Sequence, residues 1–353
     1  MKKSEELYSS FKAAYHLDRL TDLRNGKLIY PTHIQIDPTN KCNHDCVYCF
    51  YHGVNKSIVD SFDRKATLPF ETIIKLIDEM VDKNIPALEI SGGGDPLVYP
   101  KFKDIMDYLN KTNLETSLVT NGGLLTDDII SRLYKFSWIR VSVDGATKET
   151  YAKSQGVKED EFNKVITNIE KLVKELKDTV IGVSFVINPI NYKEIYQASK
   201  LFKEIGVHNI RLSIAYTDDQ TDIFKPFYNE MMDLSKQASQ LTDENFRVFD
   251  LGSTHMSHLE SKKQYSICGY SHFTAAIEAD GSVRPCCTMK GLSHSNFGNI
   301  KNNSFEEIWF GDTRKKWLDK FDANKCILCW MDGKNEFIEY IISDKKPMHV
   351  NYV

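Results

Sequence analysis

From residue 32 onward, short apolar runs alternate with segments whose apolar positions recur every three or four residues. That alternation predicts strands over 32–39, 87–91, 115–120, 139–144, 180–188 and 210–216, and amphipathic helices over 70–83, 101–111, 127–135, 159–177 and 192–205. Strands joined through helices need crossover connections, so the sheet is expected to be parallel. A doubly wound open sheet and a barrel both satisfy the pattern, and in both the ligands gather at the C-terminal ends of the strands. Ahead of the first strand, Leu7, Phe11, Ala14, Tyr15 and Leu17 predict an amphipathic helix over 7–23. Past 216 the alternation stops at a polar linker, 218–222, followed by a helix over 224–240 and a polar stretch holding His255 and His258. That histidine pair has no further ligand nearby and reads as solvated surface.

The chemistry-bearing residues fall where this pattern puts ligands. Cys42, Cys46 and Cys49 follow the first strand. Their spacing would also make a stripe on a helix, but Pro38, Asn40, Lys41, Asn43, His44 and Asp45 favour a loop. Three thiolates so close can hold three corners of a cubane iron–sulfur cluster and leave its fourth iron open; zinc held with His44 or His52 is the alternative. Gly92, Gly93, Gly94 and Asp95 follow the second strand, Asn121 the third, and Asp144 ends the fourth, with Ser142 on the same face. All four elements land on one rim.

A second group, Cys268, Cys286, Cys287, Cys326 and Cys329, completes the eight cysteines. The segment 277–283, with Asp280-Gly281 at its centre, predicts a hairpin that brings Cys268 and Cys286 together. Four of these thiols suffice for a structural zinc site or a cluster. The composition narrows the setting. With 41% hydrophobic residues the chain builds an ordinary core, and a net charge of −4 gives no basic footprint for nucleic acid. There is no apolar signal-peptide core and no run long enough to span a membrane, so a cytoplasmic location is expected, where cysteines serve as ligands or redox groups.

Cys42, Cys46 and Cys49, with Tyr48 before the third, resemble the signature of the radical S-adenosylmethionine (radical SAM) superfamily. The resemblance continues through Ser91-Gly92-Gly93-Gly94-Asp95-Pro96-Leu97, Val119-Thr120-Asn121-Gly122 and Ser142-Val143-Asp144-Gly145, covering 32 to about 216. It implies an α/β fold, a partial (β/α)6 TIM-like barrel, with a 4Fe-4S cluster on the three cysteines that reduces bound SAM to a 5′-deoxyadenosyl radical. It also implies SAM contacts from Tyr48, Gly92, Gly93, Gly94, Asp95, Asn121, Ser142 and Asp144, the glycine turn and Asp95 meeting the amine. Many relatives carry an arginine for the SAM carboxylate where this chain has Lys153-Ser154-Gln155-Gly156. Lys153 or Arg211 is the expected substitute. Asn188 is a further candidate beside Asn191, with turn residues the plainer reading of both.

The C-terminal cysteines, with Phe297-Gly298-Asn299-Ile300 and the segment from Ser304 to Trp309, resemble the twitch domain, a shortened SPASM domain. This implies one auxiliary 4Fe-4S cluster on Cys268, Cys286, Cys326 and Cys329. Cys287 is left as a packed thiol, a spare ligand or a hydrogen-atom donor. The expected divisions are a lead-in over 1–31, the barrel over 32–217, a linker over 218–265, the auxiliary domain over 266–332 and a tail over 333–353. An auxiliary cluster able to accept an electron favours an oxidation, and the resemblance, whose members with similar four-cysteine spacing include dehydrogenases of cyclitol alcohols, implies a hydroxyl-bearing carbon on a sugar-like or cyclitol metabolite as its target. Modification of a ribosomal peptide (oxidation, cross-linking or epimerisation) is the rival, weakened by the short stretch ahead of Cys42; a structural zinc protein is the non-enzymatic alternative. A flavodoxin or ferredoxin is the implied electron donor.

Overall fold

The computed structural model describes residues 8–51, 59–215, 222–252, 263–326, 329, 331–343 and 348. His52, His255, His258 and linker residues 218–221 lie outside the described residues. Six strands, β1 (His33–Ile36), β2 (Ala87–Ile90), β3 (Glu115–Thr120), β4 (Phe136–Ser142), β5 (Val180–Ile187) and β6 (Asn209–Ile214), pair in parallel in chain order. A doubly wound sheet reverses its strand order at a switch point. Here the order never reverses through β6, so the sheet curls into a partial barrel with helices on its outer face.

The crossover helices show why these segments are helical. In α1 (Leu17–Arg24) only Leu20 is buried, whereas α2 (Phe70–Asp82) buries Ile73, Leu76, Ile77 and Met80, one continuous stripe. The stripe recurs in α3 (Phe102–Leu109), with Phe102, Ile105, Met106 and Leu109. The four-residue α4 (Asp127–Ile130) is capped by Thr126 and stops well short of the expected 135, because the chain turns early into β4. The sequence pattern missed α5 (Lys148–Gln155), whose Thr147 side chain caps its N-terminus and whose Gly156 ends it in the left-handed region at φ +63°. Next come α6 (Asp160–Glu175), α7 (Ile195–Ile205) and α8 (Tyr228–Ser239).

Three other elements differ from expectation. The segment read as linker contains β7 (Arg247–Asp250), which extends the sheet beside β6; with one buried residue, Val248, it carries almost no apolar signal. The predicted N-terminal helix breaks at His16 into a 3-10 turn, Ser10–Tyr15, and α1. On the other side of the barrel, β8 (Thr274–Ile277) pairs in parallel with β1 and antiparallel with β9 (Val283–Arg284), as the predicted hairpin requires. The nine strands run β7-β6-β5-β4-β3-β2-β1-β8-β9. After α9 (Phe305–Trp309) and α10 (Asp312–Lys320), the stretch expected as a tail forms α11 (Asp332–Ile342). Ile338 of α11 joins Leu20, Ile29 and Phe273 in a small core that seats the C-terminal part against the N-terminal helix. Among the described residues no helix is long and apolar enough to cross a membrane.

Candidate functional site

Beyond β1 the chain enters a loop of turns, not a helix, that carries Cys42, Cys46 and Cys49, so the helix-stripe reading falls away. Two clamps fix this loop. From the β2 side, Gly94 N–H donates to the Thr39 carbonyl at 3.2 Å and Asp95 N–H to that of Lys41 at 3.0 Å. From the end of α5, the Gln155 and Ser154 carbonyls accept from the N–H groups of Asp45 (3.2 Å) and Val47 (3.0 Å). All three thiols line the mouth of one barrel cavity of about 990 Å³. Burial pushes the Cys42 and Cys46 thiols up, and neighbouring negative groups, their sister thiolates included, push the same way. Three thiols that repel one another as thiolates form a donor set suited to an iron–sulfur centre, whose positive irons remove the repulsion.

The predicted SAM contacts Tyr48, Gly92, Gly93, Gly94, Asp95, Asn121, Ser142, Asp144, Asn188 and Arg211 line the same cavity. A Cβ on Gly94 would lie 2.0 Å from the Lys41 carbonyl oxygen, so only glycine lets the two loops touch. Asp95 is buried, and its carboxylate accepts from Thr120 Oγ1 (2.8 Å), Asn121 N–H (2.6 Å) and Leu97 N–H (2.9 Å). These bonds make Asp95 a staple between the β2 and β3 ends while it still lines the cavity. Asn121 Nδ2 in turn reaches Asn43 Oδ1 at 2.8 Å and Cys42 Sγ at 3.8 Å. Asp144 accepts from Val186 N–H at 2.7 Å and Gln155 Nε2 at 3.2 Å; burial pushes its pKa up to about 7 against those bonds and the charge of Arg211. Asn188 and the fully buried Asn191 brace the turn after β5, Asn191 donating to the Asp144 carbonyl at 3.1 Å.

Lys153 does not join them. It is exposed on α5 and off the cavity, because residues two apart on a helix face different ways and it is Ser154 and Gln155 that turn inward. Gln155, read in the sequence only as a missing arginine, is buried at the centre of the site: Oε1 takes the Cys46 thiol (2.9 Å) and faces His44 Nδ1 (3.2 Å), while Nε2 holds Asp144. The sequence reading also missed Glu89, Arg140, Tyr270 and Lys334 on the cavity wall. The two-residue period of β2 and β4 was the available signal for the first two.

The C-terminal cysteines build a second, smaller pocket. Cys268, Cys286, Cys326 and Cys329 line it with Trp317 and Phe321. Burial comes first in raising each thiol, to about 11 at Cys326 and about 12 at Cys329, and at Cys286, Cys326 and Cys329 the charges of other thiolates add to it. Cys287 has different neighbours: Lys290, Glu89 and Arg211, the last two on barrel strands. Among the described residues no three His, Cys, Asp or Glu side chains converge on the scale of a single ion. A cubane spreads its ligating sulfurs further apart than one tetrahedral ion does. Tyr270, Cys287, Thr288 and Met331 line the cavity and the small pocket alike.

A partial parallel barrel with a three-cysteine loop at its mouth, followed by a four-cysteine pocket, defines a class of iron–sulfur enzyme. Residues 36–202 match the radical SAM superfamily model and 268–330 the iron–sulfur cluster-binding SPASM domain, and the chain belongs to the radical SAM superfamily with a SPASM domain. Its cofactors are accordingly a 4Fe-4S cluster, auxiliary iron–sulfur binding and SAM. The AdoMet-dependent heme synthase of Methanosarcina barkeri is 28% identical over 325 residues, 85% of this chain and 88% of that protein. The subtilosin biosynthesis protein AlbA of Bacillus subtilis is 22% identical over 93% of this chain and 68% of its own length. Among solved structures, SuiB of Streptococcus suis bound to its precursor peptide SuiA superposes with a TM-score of 0.64 at 15% identity, covering 91% of this chain and 74% of that one. A structure of anSMEcpe with bound AdoMet gives 0.60 at 19% identity, over 81% and 83%. These likenesses at low identity concern the fold.

Proposed function

We propose that this enzyme is an oxidoreductase that dehydrogenates a polar substrate held in the barrel cavity, with the auxiliary cluster as electron acceptor. In this reading Cys42, Cys46 and Cys49 hold the SAM-binding cluster, and Cys268, Cys286, Cys326 and Cys329 a single auxiliary one. The backbone of Gly92, Gly93 and Gly94, with Tyr48, Ser142 and Asn188, surrounds SAM. The barrel spans 32–217 and the auxiliary domain 266–332. When bound, the cluster and SAM supply a 5′-deoxyadenosyl radical. Loss of a hydrogen atom, a proton and an electron would turn a hydroxyl-bearing carbon into a carbonyl, and a cluster held by Cys268, Cys286, Cys326 and Cys329 would take the electron across the wall that the two cavities share.

The observation that carries this reading is the shared wall: Tyr270, Cys287, Thr288 and Met331 border both cavities, leaving a substrate about one side chain from the four-cysteine pocket. A cavity lined by Glu89, Ser117, Arg140, Asn209 and Ser213 supports a sugar-like or cyclitol substrate. The likeness to AlbA and SuiB favours a second reading, modification of a peptide. A flavodoxin or ferredoxin serves as electron donor in either case.

The test starts with anaerobic iron and sulfide quantitation on reconstituted protein beside a Cys42→Ala, Cys46→Ala, Cys49→Ala variant. About eight irons falling to about four, with 5′-deoxyadenosine made only by the parent, supports two four-iron clusters. Polyols and precursor peptides are then compared as stimulants of 5′-deoxyadenosine release. Stimulation by peptides alone, or a product at the oxidation level of its substrate, overturns the dehydrogenase reading.

A further inference from the structure

We propose that Arg140 and Arg211 form a seat in the barrel for an oxyanion, a carboxylate or phosphate, carried by the substrate; this rests on the reading that the barrel cavity holds the substrate. The two arginines lie on β4 and β6, either side of β5. Arg140 is level with Gly182 and Arg211 with Ser184, two residues apart along β5 and on one face of the sheet, over a stretch of wall with small side chains.

Their partners are neutral. Arg140 donates from Nη2 to the Tyr8 hydroxyl at 2.7 Å and lies over the Trp138 ring, 4.6 Å from its centroid. Arg211 donates from Nη2 to Ser184 Oγ at 3.1 Å, and its buried Nε finds no partner among the described residues. Among those residues neither guanidinium has a carboxylate within ion-pair distance, and each is the other's like-charged neighbour.

The carboxylates of the cavity make their close contacts elsewhere, although Asp144 feels the charge of Arg211 and Arg140 that of Glu89. Asp95 is taken up by Thr120, Asn121 and Leu97, and Asp144 by Val186 and Gln155. Glu89 has its oxygen 3.7 Å from His33 Nε2, in the field of Lys334 and Lys290, and is the last of the charges acting on Arg140. Glu115 is exposed at the start of β3, the end away from the cysteine loop. Two half-buried guanidinium groups that feel Asp144 and Glu89 only at a distance, with no carboxylate in contact, leave donors open, and a planar donor fork matches a carboxylate or phosphate oxygen pair.

The test uses inorganic phosphate and malonate as probes, titrated calorimetrically into reconstituted protein at fixed ionic strength with saturating SAM. The expected result is saturable one-to-one binding of at least one probe, weakened at least about tenfold in Arg140→Gln and in Arg211→Gln. Arg140→Lys and Arg211→Lys, which keep the charge without the fork, are expected to retain binding between the two extremes and guard against loss of fold. Preference for phosphate or for malonate tells a phosphorylated from a carboxylated substrate. Absence of saturable binding, binding that survives both glutamine substitutions, or binding seen only without SAM overturns the proposal; the last assigns the arginines to the SAM carboxylate. Iron content and 5′-deoxyadenosine formation by the parent, measured on the same preparation, report separately on the parent reading.

Discussion

Neighbouring residues with different outlooks separate structure from chemistry at the smallest scale. Cys286 lines only the four-cysteine pocket, where Cys287, Cys268 and Cys326 act on it, while Cys287 lines both cavities and also feels Lys290, Glu89 and Arg211. Cys286→Ala is therefore expected to remove about four irons from reconstituted protein, and Cys287→Ala none. Iron loss in Cys287→Ala would move it into the ligand set. His272 makes a different forecast. Burial first, then the charge of Arg314, lowers its pKa from 6.5 to about 3, so the fold holds the neutral ring. Because the folded value lies below the unfolded one, the unfolded chain takes up the proton first, and stability declines as pH falls from about 6.5 toward 3. In urea titrations, His272→Phe is expected to lose stability less steeply on acidification than the parent. Equal slopes in the two proteins would show that another group sets the acid limit.

Elements explain how short segments acquire a fixed geometry. The cysteine loop has no regular structure of its own and takes its shape from the β2 loop and the end of α5. Gly94→Ala would drive a Cβ into the Lys41 carbonyl, backbone that cannot swing aside. The expected outcome is a folded barrel, by circular dichroism, that reconstitutes with iron at the auxiliary site but poorly at the cysteine loop. Full iron content would mean that the loop tolerates displacement. The same contrast decides what was legible in the sequence. Strands β1 to β6 and helices such as α2 and α6 were readable because their apolar positions follow the period of the element. The element β7 was not, since a four-residue edge strand with one buried side chain has no period to show. Nor was α5, whose inward face carries Ser154 and Gln155 instead of an apolar stripe. The cysteines stood out as candidate ligands, Cys42, Cys46 and Cys49 by their spacing and Cys268 and Cys286 by the hairpin between them. The roles of Gln155 and Asp95 were not, because each depends on partners distant in sequence.

At the scale of the whole molecule, what matters is how the auxiliary segment is held to the barrel, since the shared wall exists only while the two stay docked. Backbone pairing of β8 with β1 supplies one tie. A second is ionic: Lys290 Nζ lies 2.7 Å from Asp37 Oδ1, and both side chains are only 2% exposed. Asp37 follows β1 directly and leads into the cysteine loop, so one bond connects the auxiliary segment to the chain that carries Cys42. Desolvating two charges offsets much of their attraction, but removing one leaves the other buried and alone. Lys290→Met is therefore expected to cost roughly 3–5 kcal/mol of unfolding free energy. Asp37→Asn added to Lys290→Met removes the orphaned charge, so the double variant should cost less than the sum of the two single ones. Urea unfolding of all four proteins closes that cycle. Strict additivity would mean that the pair is uncoupled and that the β1–β8 ladder with the Leu20, Ile29, Phe273 and Ile338 core holds the auxiliary segment without it.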